Sequence, residues 1–523
     1  MSERLQRLSA AWQPGTTFEE EPTTEAIEVS AATAGAAKLY EKLRTTIDYQ
    51  EEHLLRRNAI LRILKRFLGS DVPIEEMSVE ILKELIWAGY LPNRRVPMAL
   101  SATLVPILEK YEPLLRACDE LHDRREEIFS WLLEVLATEL EYAISPPYND
   151  EALVSYMYEE MLGRVSWDEK MVISEEDRDM KLYVAIHRVL LRSNYATLRF
   201  RVLTLYYPSW PGEGDPKLVR ELSENLESIV DTVDRQIIHP VTEKLAVLLR
   251  RRAALFRTLG DVVAYDPDEV PMLLEDPGFL DRAVVRALKK RTKKFRTRLH
   301  RTVFRAVLFL FLTKMLLALI IEVPYDLYFV SEVSFLPLAV NILFHPFFLA
   351  FLSLTVSIPE RKNSGHAKDM VRALVVGADH QLLNLRMKPT HFGAWNKIFS
   401  VVYGLTFIFT YGFIAVMLSQ FHFNWLSITL FLSFLSLVTF FGIRIRTSTK
   451  DVVVANVRSS IIGSIFDIFM LPVVRAGRWL SLKVAKINVF IYFFDFIIEA
   501  PFKVGIRFVE NWFAFVREKK EEI

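Results

Sequence analysis

The stretch RALKKRTKKFRTRLHRTVFRAVLFLFLTKMLLALIIEV, Arg286 to Val323, decides the fold class. Residues 286–305 hold ten basic side chains and no acidic one. The part that follows is almost wholly apolar. As a helix, Val303–Val323 is about 30 Å long, enough to cross the hydrocarbon core of a bilayer. Three further apolar segments lie downstream: Val333–Ile358, interrupted by Pro337 and Pro346, then Ile398–Leu418 and Trp425–Ile443, which carry no charged side chain. A soluble core large enough to bury all four is not expected from the rest of the chain. The pattern predicts a four-span membrane domain over 306–443, with a basic juxtamembrane collar at 286–305.

The connections between these segments alternate in charge, and Lys and Arg beside a span are retained on the cytoplasmic side. The first connection carries Asp326 and Glu332 and nothing basic, the next (Pro359–Lys397) seven basic and three acidic residues. Ser419–Asn424 is uncharged, and the last segment exits into Arg444, Arg446 and Lys450. A multi-pass protein of a bacterial inner membrane is therefore expected, with both termini cytoplasmic. Its interaction partners would be the bilayer itself, with anionic lipid headgroups at the 286–305 collar.

The overall net charge of +1 in 523 residues conceals this division. Residues 1–285 contain 34 basic and 50 acidic side chains, which argues against nucleic acid as a partner. Residues 1–33 read as a disordered acidic head with no secretory signal. Over 34–285 the apolar residues follow helical rather than alternating spacing, so the whole chain is expected to be all-α. Tyr40, Ile47, Leu54, Leu61 and Leu68 recur every seven residues, and Glu52 precedes Arg56 in the favourable order for a surface pair. Further amphipathic runs at 76–89, 99–117, 119–144, 151–163, 178–206 and 217–259 complete an acidic helical cytoplasmic domain.

Two segments, YEKLRTTIDYQEEHLLRRNAILRILKRF (Tyr40 to Phe67) and FDFIIEAPFKVGIRFVENWFAFVREKKEEI (Phe494 to Ile523), resemble those of uncharacterised helical membrane proteins of reduced-genome bacteria. The resemblance implies a membrane protein and brings no site residues with it.

Chemistry-bearing motifs are not found. There is no phosphate-cradling glycine loop, no Glu-x-x-His pair, no H-E-x-x-H, and a single cysteine, Cys118. No catalytic, cofactor-binding or metal-ligating residue is assigned, and no cofactor is expected. The polar residues that stand out are inside the spans. Lys314 lies eight residues before Glu322 and Asn341 nine after Glu332, so these two are expected near one level, with His345 one turn deeper on the same face and the three able to form a buried polar cluster. Intramembrane ionisable groups face a bundle interior or a solute path. Packing between helices is the alternative use. Hydroxyl stripes (Tyr403, Thr406 and Thr410; Thr429, Ser433 and Ser436) mark the third and fourth spans.

An acidic–proline motif occurs twice, as Glu322 with Pro324 and as Glu499 with Pro501, each a site for a kink or a helix restart. Polar residues at steps of three, four and seven along 451–517 suggest amphipathic helices on the membrane surface, within a closing region of 444–523. The reading that follows is a non-enzymatic membrane scaffold whose cytoplasmic helices bind a protein partner. A transporter or channel subunit using the cluster around Lys314, with homo-oligomerisation, is the alternative, and a membrane-embedded enzyme the second.

Overall fold

A computed structural model describes residues 3–12, 18, 25–30, 52–67, 72–167, 173–265, 276–330, 334–354, 356, 360–376, 383–385, 393–449 and 470–481. Glu499, Pro501 and the segment 494–523 lie outside the described residues, as do 34–51. Among those described the regular structure is helical apart from two strands of three residues each and an isolated bridge between Ala26 and Pro97. It divides into two compact units, Glu3–Leu249 with Leu382–Leu385, and Arg250–Gln381 with Arg386–Asn488.

The first unit contains α1 (Glu3–Ala11), α2 (Glu52–Phe67), α3 (Ile74–Trp87), α4 (Ala99–Ala117), α5 (Arg125–Ile144), α6 (Tyr148–Leu162), β1 (Val165–Trp167), α7 (Glu175–Leu190), α8 (Tyr195–Tyr206), α9 (Pro216–Glu224) and α10 (Leu226–Ile237). The long amphipathic runs at 178–206 and 217–259 are broken into shorter helices by local chemistry. Asn194 accepts from Thr197 N at 3.0 Å and starts α8. Asp215 caps α9 ahead of Pro216, whose fixed φ and missing N–H suit a first turn. One continuous core joins Ile60, Ile63 and Leu64 of α2 to Ile81, Leu85, Tyr111, Trp131, Leu136, Phe200 and Val230.

In α2 the seven-residue line is displaced from the buried face. Leu54 is buried and Leu61 only half so, whereas Ala59, Ile60, Ile63, Leu64 and Phe67 form the packed stripe. Arg56 has a partner on another helix. It reaches across to Glu141 of α5 in a bidentate pair, Nε to Oε2 at 2.7 Å and Nη2 to Oε1 at 2.6 Å. A buried carboxylate with two oriented acceptors suits the paired donors of a guanidinium.

β1 pairs in parallel with β2 (Leu383–Leu385), in the register Val165 to Leu383 and Trp167 to Leu385. These strands belong to the same unit although more than two hundred residues separate them.

The second unit begins within α11 (Pro240–Val263) and contains α12 (Pro277–Leu317), α13 (Phe335–Leu354), α14 (Glu360–Val376), α15 (Gly393–Gln420), α16 (Trp425–Ser448) and α17 (470–481). Asp276 caps α12 by accepting from Gly278 N at 2.7 Å, with Pro277 in its first turn. This helix then runs 41 residues without a break, so collar and first span are one rod. At the acidic–proline motif it loosens into π-helical turns at Ala318–Glu322 and Asp326–Val330, either side of Val323–Tyr325. Pro324 has no N–H to continue the ladder, which accounts for the rearrangement. In α13 Pro346 is accommodated within the helix.

Among the described residues four helices are long and apolar enough to cross a membrane: the one within Pro277–Phe329, then Phe335–Leu354, Ser400–Gln420 and Trp425–Arg446. Phe309, Leu316, Phe347, Phe351, Ile408 and Phe413 stand exposed on them. Apolar surface so extensive matches hydrocarbon rather than water, and the helical backbone satisfies its own polar groups there. Contacts at both ends fix the order of the bundle. Arg372 of α14 grips Asp281, near the start of α12, at 2.7 and 2.8 Å. At the other end Asn424 donates to Asp326 at 2.6 Å, and Trp425 Nε1 to the Tyr325 hydroxyl at 2.6 Å. Successive spans are thus antiparallel, with the first and third connections at one end.

Part of the 444–523 region proves to pack on this bundle. Val473 of α17 joins a cluster with Leu418, Phe431 and Leu435. A Cβ added at Gly477 would fall 2.0 Å from the Ser436 carbonyl oxygen, so only glycine fits this approach. That contact is midway along α16. The remainder of 451–517 lies outside the described residues.

Candidate functional site

The intramembrane polar residues meet at one place. Lys314, on the buried face of α12, donates from Nζ to Asn341 Oδ1 at 2.7 Å. Asn341 Nδ2 in turn donates to Glu322 Oε1 at 2.7 Å. A single carboxamide thereby bridges an ammonium and a carboxylate, offering oxygen to the cation and N–H to the anion. Ser427 of α16 approaches the second oxygen of Glu322 at 3.4 Å. Lys314 Nζ also lies 4.2 Å from the centre of the Phe434 ring, a cation–π contact strengthened by exclusion of water. Lys314, Glu322, Asn341 and His345 are each at most 1% exposed.

His345 is next to this bridge but takes no part in it. Its Nδ1 faces the carbonyl of Asn341 at 3.2 Å and its Nε2 that of Phe431 at 3.0 Å. A neutral imidazole has one N–H and serves one of these two acceptors. Glu322 arises from the acidic–proline motif rather than from the depth comparison, and the π-helical turn at 318–322 holds its side chain inward. Ser427 and Phe434 had no sequence signal beyond being in the fourth span.

One turn outward a smaller polar pair continues the arrangement. Asn424 caps α16 by accepting from Ser427 N at 2.8 Å, and its amide donates to Asp326. The hydroxyl stripes behave differently. Thr406, Thr429 and Ser433 bond to carbonyls four residues back on their own helices. Among the described residues Ser436 is engaged across helices, 2.5 Å from the Tyr411 hydroxyl, and the Tyr403 ring lies 4.8 Å from the Arg475 guanidinium of α17. The buried Thr410 hydroxyl has no hydrogen-bond partner among the described residues.

The first unit holds two buried polar clusters of its own. In one, Lys110 donates to Glu139 Oε1 at 2.5 Å and to the carbonyls of Trp210 and Gly212 at 2.6 and 2.8 Å. Tyr111 and the Gly212 N–H complete the coordination of Glu139 at 2.8 and 2.9 Å. Burial pushes the lysine down and the carboxyl up, each opposed by the other's charge. This network pins the PSWPGEGDP loop, 208–216, onto α4 and α5.

In the other cluster Arg201 of α8 pairs with Glu151 of α6, its guanidinium 4.5 Å from the centre of the Tyr142 ring. His187 is wholly buried, its ring centre 4.5 Å from that of Tyr183 and its Nε2 3.8 Å from Glu151 Oε2. Neither of its nitrogens has a hydrogen bond among the described residues. Burial raises Glu151 to about 7 and, helped by the positive Arg201, lowers His187 to about 3.

The two shifts act oppositely on stability. Glu151 stays protonated in the folded chain up to about 7, while the unfolded chain releases its proton near 4.5, so its contribution declines as pH rises through that window. His187 is protonated near 6.5 only when unfolded, so its contribution declines as pH falls from 6.5 to about 3. The effects offset between 4.5 and 6.5, and below 4.5 the histidine acts alone. His187→Gln is therefore expected to flatten the acid limb of stability, by up to about 1.4 kcal/mol per pH unit. Urea unfolding of both proteins at pH 4.5 and 3.5 checks this, and equal slopes would contradict it.

Among the described residues no group of three or more His, Cys, Asp or Glu is placed to hold a metal ion. Comparison with protein-family profiles, curated proteins and solved structures gives no match to this chain.

Proposed function

We propose that the chain is a non-enzymatic membrane scaffold: a four-span anchor that carries a helical domain on the cytoplasmic side, where that domain binds a protein partner. The observation supporting this is how the intramembrane charges are used. Lys314, Glu322 and Asp326 are each bonded to an uncharged side chain from another helix, namely Asn341 or Asn424. Bonds of this kind tie α12, α13 and α16 together and leave the charges engaged in assembly. Antiparallel spans and the basic ends of α12 and α16 support placing the N-terminal unit on the cytoplasmic side. The β1–β2 ladder agrees with it, since the connection after the second span returns to the same unit as Val165–Trp167.

A second reading has an observation of its own. Glu322 ends a π-helical turn within a membrane helix, and such turns recur where helices rearrange during function. On that reading the bridge through Asn341 opens to pass a proton or solute. Lys314→Met combined with Glu322→Gln separates the two. The pair removes both charges and strands neither, and loss of the lysine alone lowers the insertion cost by roughly 3 kcal/mol. The scaffold reading expects normal membrane yield, the same proteins co-purified in stoichiometric amount from mild detergent, and full complementation of a deletion. Normal yield with lost complementation and lost pH-dependent flux in liposomes would refute it in favour of transport.

A further inference from the structure

The basic collar is two surfaces with different surroundings. Its first half is the flank of a helical bundle outside the membrane. Leu280, Val284, Ala287, Leu288 and Thr292 are buried along one side of α12. Arg291 there bonds Asp261 at 2.6 Å and the Arg257 carbonyl at 3.1 Å, both on α11, while Asp281 holds Arg372 of α14. Lys289, Lys290, Lys293 and Lys294 line the exposed side of this packed stretch.

The second half ends where the span begins, and α16 brings further charge to the same depth. Leu310 and Val438 pack in one cluster with Leu349. From that level Arg305 lies five residues down α12 and Arg444 six residues down α16. Arg301 and Arg446 lie a further turn or less away. At the helical rise, the first pair is about 8–9 Å and the second about 12–14 Å from the shared level. All four side chains are exposed, and no ion pair engages any of them among the described residues. Within 286–321 the sequence holds no acidic residue, nor does it within 398–450. The contrast with the first unit is direct, since Arg56, Arg124, Arg199 and Arg201 there all pair with carboxylates.

We propose that Arg301, Arg305, Arg444 and Arg446 form a binding surface for the headgroup phosphates of anionic phospholipids, and that the lysines at 289–294 take no part in it. Distance along the rod divides the two sets. The helix rises about 16 Å from Arg305 to Lys294 and about 24 Å to Lys289. A headgroup layer is only about 5–8 Å deep, and the screening length in physiological salt adds about 8 Å. Guanidinium groups also present paired N–H donors to phosphate oxygens, which a lysine cannot do. This surface rests on the membrane placement proposed above, although it is indifferent to whether the protein is a scaffold or a transporter.

The full-length protein is reconstituted in nanodiscs of equal parts phosphatidylcholine and phosphatidylglycerol, extracted into mild detergent, and its retained lipids are measured by native mass spectrometry. Wild type is expected to retain phosphatidylglycerol in excess of phosphatidylcholine. Joint replacement of the four arginines by Gln should erase the excess, each loss contributing about fivefold. The corresponding Gln replacement of Lys289, Lys290, Lys293 and Lys294 should leave it unchanged. An Arg→Lys version of the four guards against misinsertion, since it keeps the charge that sets orientation and should retain most of the excess. Inorganic phosphate should displace the lipid no better than chloride at equal ionic strength, whereas stronger displacement would make free phosphate the ligand. An equal loss in the lysine set, or none in the arginine set, overturns the proposal.

Discussion

Asn341→Leu is expected to be the most damaging single substitution in the membrane bundle. The leucine keeps the branching of asparagine at Cγ and suits hydrocarbon, so hydropathy alone would rate it an improvement. It removes, however, the bridge between the Lys314 ammonium and the Glu322 carboxylate, which are linked through the two ends of this amide. Both charges would then remain buried without their partner. Breaking a buried ionic arrangement by deleting one member costs about 3–5 kcal/mol. The variant should give little folded protein in the membrane fraction and a lowered melting temperature in detergent. The triple replacement Lys314→Met, Glu322→Gln, Asn341→Leu should recover most of the loss, because no charge is stranded in it. A single variant with wild-type melting would show that the bridge does not hold the bundle together.

The second large effect is expected at Lys110. Its ammonium spends its donors on Glu139 and on the Trp210 and Gly212 carbonyls, and it lies 4.3 Å from the centre of the Trp210 ring. Lys110→Met fills similar space but leaves Glu139 a buried carboxylate with only Tyr111 and the Gly212 N–H as donors. About 3–5 kcal/mol should be lost, read from the urea midpoint of the far-ultraviolet signal. Adding Glu139→Gln should restore a good part of it, since the uncharged amide tolerates burial better. The restoring step distinguishes a stranded charge from a simple packing defect, because a packing defect would be untouched by the second change.

The fold class and the four membrane helices could be read from the chain because both depend on local patterns. Helical periodicity, apolar length and the sign of flanking charge all act within a few turns. Depth along a hairpin was readable too, since a helix rises uniformly, and it brought Lys314 and Asn341 to the same level. The exact partnership was not. His345, one turn deeper on the same face, faces the Phe431 carbonyl instead, because rotation of α13 about its axis depends on how α16 packs against it. Glu322 enters the cluster only through the π-helical turns, which shift every later side chain around the helix. Lys110 and Glu139 show the same limit in the first unit. They sit on separate amphipathic helices with nothing in their neighbourhoods to set them apart from solvated charges. The displaced stripe of α2 has a similar origin: a line drawn through every seventh residue drifts from a straight helix's buried face, and packing chose Ile60, Ile63 and Leu64.

The ladder between Val165–Trp167 and Leu383–Leu385 imposes an order on biosynthesis. When the ribosome has made the first unit's helices, the strand that completes them is still untranslated, and two spans must enter the bilayer before it emerges. Until then the edge of β1 has no partner from its own chain. Closing so long a loop adds little entropy beyond closing a moderately long one, as the cost grows only with the logarithm of its length. The delay is therefore kinetic rather than energetic: insertion of α12 and α13 precedes the last step of the N-terminal unit, and a chain stalled in the membrane leaves that unit unfinished.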